Sequence, residues 1–329
     1  MVEERPNLSR RAVVTGAGML AGTRFLQAAP ATKIRLTEYT AKKGDVSLAM
    51  YRKRGGSPAA RQPVLFLVHG SSLSARASYD LTVPGAEEYS MMNVFAGYGF
   101  DVWTMDHENY GKSSRTSGNS DIKSGAEDLK AGIELVQRET GVKKVHLFGE
   151  SSGGLRAGLY AMEQRETVDR MVLAAFTYKG EGSPTLAKRA EQLDYYRTHN
   201  TRLRDREMIR GIYTRDKAGT TDPAVADAVA DMELKFGDQV PTGTYLDMTA
   251  NLPVVDPAKV RAPVLLLRGE YDGIATIDDL SEFYKRLPNG DRQFVILPGA
   301  AHSLVSNINR RQTWHAVRSF LTMPAGIVS

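Results

Sequence analysis

Short apolar runs set between stretches of helical spacing constrain this chain more than any other feature. The runs are Val64–Val68, Asp101–Met105, 145–148, 171–175 and 264–267. Val64–Val68 is apolar throughout, as expected of a strand buried on both faces. Such strands need helices on both sides, so the repeated order strand, helix, strand predicts a parallel α/β sheet. Between two of them, Ile122, Ala126, Leu129, Ile133 and Val136 recur at helical spacing, with Gly141 as a stop. Segments 34–39 and 46–52 read as two opening strands joined by a Lys-Gly-Asp turn. The pattern closes with a helix near 278–286, a strand at 293–297 and a helix through Trp314, Val317 and Phe320. It is interrupted once. Residues 177–255 are charged and helical in pattern, with no clear buried strand. The expected organisation is therefore an α/β core over 32–176 and 256–329, with a helical insertion at 177–255.

Composition removes several classes of function. Of 329 residues, 42% are hydrophobic and 25% charged, which excludes disorder for most of the chain. No apolar stretch reaches the roughly 18 residues of a membrane-spanning helix. There is no cysteine, hence no disulfide, thiol nucleophile or thiolate metal site. The net charge is +5, but Lys and Arg alternate with Asp and Glu instead of forming a stripe, so no nucleic acid is expected as a partner.

Residues 1–31 differ from the rest. Ser9-Arg10-Arg11 precedes a mild apolar run at 12–22, then Arg24 and the small-x-small sequence Ala29-Pro30-Ala31. The segment resembles a twin-arginine export signal, which implies a periplasmic or secreted protein; otherwise the location is cytoplasmic. Val13-Val14 depart from the usual end of that motif. Gly16 and Gly18 also imitate a dinucleotide fingerprint, but Gly22 and Pro30 leave too little room for its helix and second strand.

The chemistry centres on Gly149-Glu150-Ser151-Ser152-Gly153, which directly follows a buried run and precedes a helix. This is the nucleophile-elbow pattern in its required context: a tight turn exposes Ser151, and the glycines keep neighbouring Cβ atoms away. A serine hydroxyl needs a base, and the base an orienting acid. His69, His107 and His146 precede the serine, His199 lies in the insertion and His315 in the last helix. His302 alone stands in the loop after the final strand, and is the expected base. Asp272, in the turn after 264–267, is the expected acid, with Glu270 as the alternative; Asp278 and Asp279 read as charges at a helix N-terminus. The developing oxyanion needs donors. The expected ones are the backbone N–H groups of Ser152 and of Ser71, with Ser72 as the alternative to Ser71.

The set of His-Gly loop, elbow, acid and histidine, in that order, resembles the α/β-hydrolase family over about residues 34–323. The resemblance implies a serine hydrolase with an eight-stranded, mostly parallel sheet. It also implies that the insertion at 177–255 is a helical cap, for which Tyr195, Tyr196, Met232, Phe236 and Tyr245 are possible lining residues. The loop Asp106–Ser113 matches the family only loosely. Its Gly111-Lys112-Ser113 imitates a phosphate loop, but Asp106 stands where the first glycine is needed, so ATP is rejected. His107-Glu108 lacks the partner histidine of a zinc motif. No cofactor or metal is expected, and the expected partner is a small-molecule substrate. Serine at the elbow disfavours dehalogenase and epoxide-hydrolase chemistry. Hydrolysis of a carboxylic ester or lactone is the leading expectation. Amide or carbon–carbon cleavage, acyl transfer, or a ligand-receptor role are the alternatives.

Overall fold

The computed structural model describes Met1 and residues 33–57 and 60–324. Apart from Met1, the expected export segment lies outside the described residues. The body begins with the hairpin β1 (Arg35–Lys43) and β2 (Val46–Arg54), then β3 (Val64–Val68). Helices α1 (Ala75–Tyr79) and α2 (Met91–Gly97) lead to β4 (Asp101–Met105) and α3 (Ile122–Thr140). Strand β5 (Val145–Glu150) turns directly into α4 (Ser152–Glu163), followed by β6 (Val168–Ala174). The inserted segment holds α5 (Pro184–Ala190), α6 (Leu193–Thr198), β7 (Thr201–Leu203), α7 (Arg206–Thr214), α8 (Pro223–Glu233), β8 (Gln239–Pro241) and α9 (Gly243–Ala250). The main alternation resumes with β9 (Val264–Gly269), α10 (Ile277–Arg286), β10 (Arg292–Leu297) and α11 (Arg310–Leu321).

Eight strands form one sheet in the order β1-β2-β4-β3-β5-β6-β9-β10. Strand β2 is antiparallel to β1 and β4, and the pairs from β4 through β3, β5, β6 and β9 to β10 are parallel. The expected α/β sheet is thus present. Alternating residues of each strand feed opposite cores. Phe66, Leu147, Leu173 and Leu266 pack with Leu129, Ile133 and Val136 of α3 on one face. Leu65, Leu67, Phe148 and Leu265 pack with Phe95 of α2 and Val317 and Phe320 of α11 on the other. Each such buried side chain stabilises by roughly 1.5–3 kcal/mol. Helix α3 is bounded as its sequence implies: the Asp121 carboxylate accepts from the Ser124 N–H at 2.7 Å, and Gly141 ends it at φ 72°.

Three details differ from the sequence reading. Strand β1 continues to Lys43, because its polar second half is held by the hairpin ladder and carries no apolar signal. Strand β6 begins at Val168, three residues early. The insertion contains a short antiparallel ribbon, β7 with β8, whose three-residue strands are too brief to leave a period.

Candidate active site

The site is assembled at the C-terminal ends of β3, β5, β9 and β10. Ser151 occupies the junction of β5 and α4 at φ 59°, ψ −127°, a conformation that costs a non-glycine residue free energy and persists only when its surroundings enforce it. The enforcement is visible. Its N–H donates to the Ala174 carbonyl at 2.8 Å, and its own carbonyl accepts from the Gly154 N–H at 2.9 Å. The flanking glycines are dictated by space: a Cβ on Gly149 would fall 2.4 Å from the Gly153 carbonyl oxygen, and one on Gly153 would fall 2.1 Å from that of Val68.

His302 follows β10 and Asp272 follows β9. The His302 Nδ1–H donates to Asp272 Oδ1 at 2.9 Å, which leaves Nε2 as the basic nitrogen. The same Asp272 oxygen accepts the Ile274 N–H at 3.0 Å, and Asp272 is 1% exposed. Burial pushes this carboxyl up, but His302, the Ile274 N–H and Arg215 outweigh it and hold Asp272 below the usual carboxylate range. Glu270 points elsewhere: its exposed carboxylate accepts the Gly299 N–H at 2.8 Å, clamping the turn before His302. Of the two acids weighed from sequence, Asp272 is the one that meets the histidine. Ser151 and His302 border one cavity of about 50 Å³, together with Gly70, Ser71, Arg189 and Arg215.

The loop after β3 supplies the other side of that cavity. Ser71 Oγ donates to Ser152 Oγ at 2.8 Å, so the two residues named as oxyanion donors are neighbours. The loop's carbonyls are held from outside the cavity. Arg156 donates to the His69 carbonyl at 3.1 Å, Tyr110 to that of Ser71 at 2.8 Å and Arg204 to that of Ser72 at 3.2 Å. Among the described residues, neither the Ser71 nor the Ser152 N–H has a protein acceptor. Ser72, the alternative donor, has its hydroxyl 2.6 Å from the Tyr245 hydroxyl of α9.

Other side chains at the site had no motif to announce them. Arg156 is fully buried in α4 and lies 5.5 Å from the Tyr110 ring; a Cβ on Gly125 would come within 2.4 Å of it, so that glycine makes its room. An arginine inside the otherwise apolar run Leu155-Arg-Ala-Gly-Leu was the available signal. Glu233 of α8 is buried, ion-paired with Arg204, and accepts the Ser74 N–H at 2.6 Å, tying the insertion to the β3 loop. His69 and His107 are packed edge to face beneath that loop, and burial pushes both far down, leaving them neutral. His199 stacks on Tyr195 and His315 borders a separate cleft of about 910 Å³. Asp279 does more than charge a helix end: it accepts the Tyr178 and Lys179 N–H groups at 2.9 and 2.8 Å. Of the five aromatic or Met residues named for the insertion, Tyr196 and Tyr245 line a cavity, whereas Met232 packs against the cluster around Ile209 and Val229.

Asp216 places a second carboxylate by the histidine. Ligand-type atoms of Asp216, Asp272 and His302 lie within 4.8 Å of one another. Asp272 Oδ1 is already shared by His302 and Ile274, however, and Asp216 faces Arg215 at 3.5 Å. Among the described residues, Asp216 Oδ2 and Asp272 Oδ2 are buried and accept no hydrogen bond.

Glu150, beside the nucleophile, accepts the Leu304 N–H at 2.9 Å and so fixes the chain just past His302. Burial pushes its carboxyl from 4.5 up to about 7, opposed by the Val305 and Leu304 N–H groups and aided by Asp272. A raised carboxyl pKa means the folded state binds the proton more tightly, so stability declines as pH rises through the window from 4.5 to about 7. Glu150→Gln keeps an acceptor for Leu304 without the buried charge. It is expected to gain about 2–3 kcal/mol over the wild type in urea unfolding at pH 8, and nothing at pH 4. An equal gain at both pH values would contradict the titration.

Comparison with known proteins agrees with this architecture. A family profile described as serine aminopeptidase, S33, matches residues 86–309. Among solved structures, E-2-(acetamidomethylene)succinate hydrolase superposes with TM-score 0.64 at 18% identity, covering 87% of this chain and 99% of that one. The 2-hydroxy-6-oxo-6-phenylhexa-2,4-dienoate hydrolase of a Rhodococcus species gives 0.63 at 18%, over 88% and 100%. Carboxylesterase CesB of Bacillus subtilis gives 0.63 at 19%, over 88% and 93%. At these identities the likeness is one of fold.

Proposed function

From the premise that the chain belongs to the serine aminopeptidase S33 family of α/β-hydrolases, we propose that this hydrolase cleaves a small-molecule carboxylic ester or lactone through Ser151, His302 and Asp272. The observation that carries this reading is the 2.9 Å bond from His302 Nδ1 to buried Asp272, at the wall of the cavity that Ser151 also borders. His302 Nε2 takes the Ser151 proton as Oγ attacks the carbonyl carbon. The carbonyl's π pair moves to oxygen, where the Ser71 and Ser152 N–H groups receive it. Collapse expels the alcohol oxygen, protonated by His302, and leaves an acyl-enzyme. Water, deprotonated by His302, then releases the acid and restores Ser151. Asp272 keeps the proton on Nδ1 and stabilises the transient imidazolium. The inserted helices act as a cap, contributing Arg189, Ile212 and Arg215 to the cavity wall.

The test is turnover on a matched panel of p-nitrophenyl esters, lactones and anilides. Esters or lactones are expected to be cleaved at least tenfold faster, by kcat/KM, than anilides of the same acyl group. Faster anilide cleavage would replace the reading with an amidase or peptidase; no turnover of any member would defeat it.

A further inference from the structure

The space beside the nucleophile holds more cations than carboxylates: Arg189 and Arg215 border the cavity at Ser151, where Glu150 is the carboxylate. The 50 Å³ cavity at Ser151 shares Ser72, Arg189, Ile212 and Arg215 with a chamber of about 680 Å³ under the inserted helices. That chamber is also bordered by Lys188 and Arg202, and Asp216 is the carboxylate in its wall. Asp216 is engaged with Arg215 at 3.5 Å. Arg189 and Arg202 face the Tyr245 ring at 5.0 and 4.9 Å to its centroid. Arg202 donates to the Tyr196 hydroxyl at 3.4 Å, and Arg189 donates to the Met248 sulfur at 3.6 Å. Among the described residues, neither arginine has a carboxylate within ion-pair distance. Burial, with Arg215 nearby, pushes Arg189 down to about 10, so it still carries its charge at neutral pH.

A half-buried guanidinium with no protein anion has lost part of its hydration, which an anionic ligand would restore. Its planar donors match a carboxylate in bidentate fashion. We propose that the substrate carries a free carboxylate, which pairs with Arg189 at the junction of the two cavities while its scissile carbonyl lies at Ser151. The inference rests on the hydrolase reading above and names its substrate class. The same charges disfavour a free amino terminus.

Two matched pairs test it: mono-p-nitrophenyl glutarate against p-nitrophenyl valerate, and 4-carboxyphenyl valerate against 4-carbamoylphenyl valerate. They place the anion on the acyl and the alcohol side respectively. In at least one pair, the anionic member is expected to have a kcat/KM at least tenfold higher, chiefly through KM. Arg189→Gln should collapse that ratio, and Arg189→Lys should recover part of it. Binding of glutarate to the Ser151→Ala protein, followed by calorimetry, gives a readout independent of turnover and should weaken at least tenfold when Arg189→Gln is added. If no ester is cleaved yet glutarate binding depends on Arg189, the hydrolase reading fails and the anion site stands. If esters are cleaved with no anionic preference, or with one indifferent to Arg189, and glutarate binding is absent or equally indifferent, the anion site is overturned and the hydrolase survives.

Discussion

Ser151→Ala is expected to fold as the wild type does and to lose turnover by roughly 10⁵-fold or more, as removal of a serine nucleophile does elsewhere. The fold survives because, among the described residues, no hydrogen bond uses the Ser151 hydroxyl. The bonds that enforce its backbone run through its N–H and carbonyl. Alanine at φ 59° is no more strained than serine. Steady-state kinetics on the best panel ester, with a thermal melt as the control for folding, measure the effect. A fluorophosphonate should label the wild type at Ser151, located by mass spectrometry. An adduct on Ser71 or Ser152 would show that the hydroxyl pair beside the elbow, and not the elbow itself, holds the nucleophile.

Asp272→Asn is expected to lower kcat by roughly 10⁴-fold, against a change within a few-fold for Glu270→Gln. Both remove one carboxylate charge from the same turn, so a difference between them reports position, not net charge. Asp272 Oδ1 accepts from both His302 Nδ1 and the Ile274 N–H. An asparagine that keeps its oxygen there loses the charge that stabilises the imidazolium, and one that turns its NH2 there loses the Ile274 bond and favours a proton on Nε2, where the base must be free. The glutamine can still accept the Gly299 N–H, the contact that Glu270 makes. The pair of rates, with matched thermal melts, decides the assignment. A crippled Glu270→Gln beside a benign Asp272→Asn would reverse it.

Much of this arrangement is legible in the sequence. Strands buried on both faces must be apolar at every position, so Val64–Val68 announced itself; helix α3 did so through its period and Gly141. The proposed Ser151, His302 and Asp272 are legible because the proposed chemistry needs them at the ends of particular strands, and strand order survives in sequence. The electrostatics of the site were much less so. Glu150, Arg156, Asp216 and Glu233 are charged residues in a chain where a quarter of residues are charged, and burial alone sets them apart. Burial is a property of packing between distant segments. The cationic chamber is hidden for the same reason: Arg189 and Arg215 stand on separate inserted elements, and adjacency in space leaves no period. The β7–β8 ribbon was too short to show one.

Arg156 has a consequence for accuracy. It belongs to α4, the helix that begins at the elbow, yet it grips the His69 carbonyl in the opposite loop. The two N–H groups assigned to the oxyanion come from these two different segments, and independent thermal drift of either would blur the spacing between them. A fully buried guanidinium, packed on all sides, has little freedom to reorient. Displacement of the helix therefore carries the loop with it, so the fluctuation is common-mode and the interval between the donors is preserved. Exposed side chains can tolerate positional noise, whereas the proposed receptor for a single oxygen atom cannot.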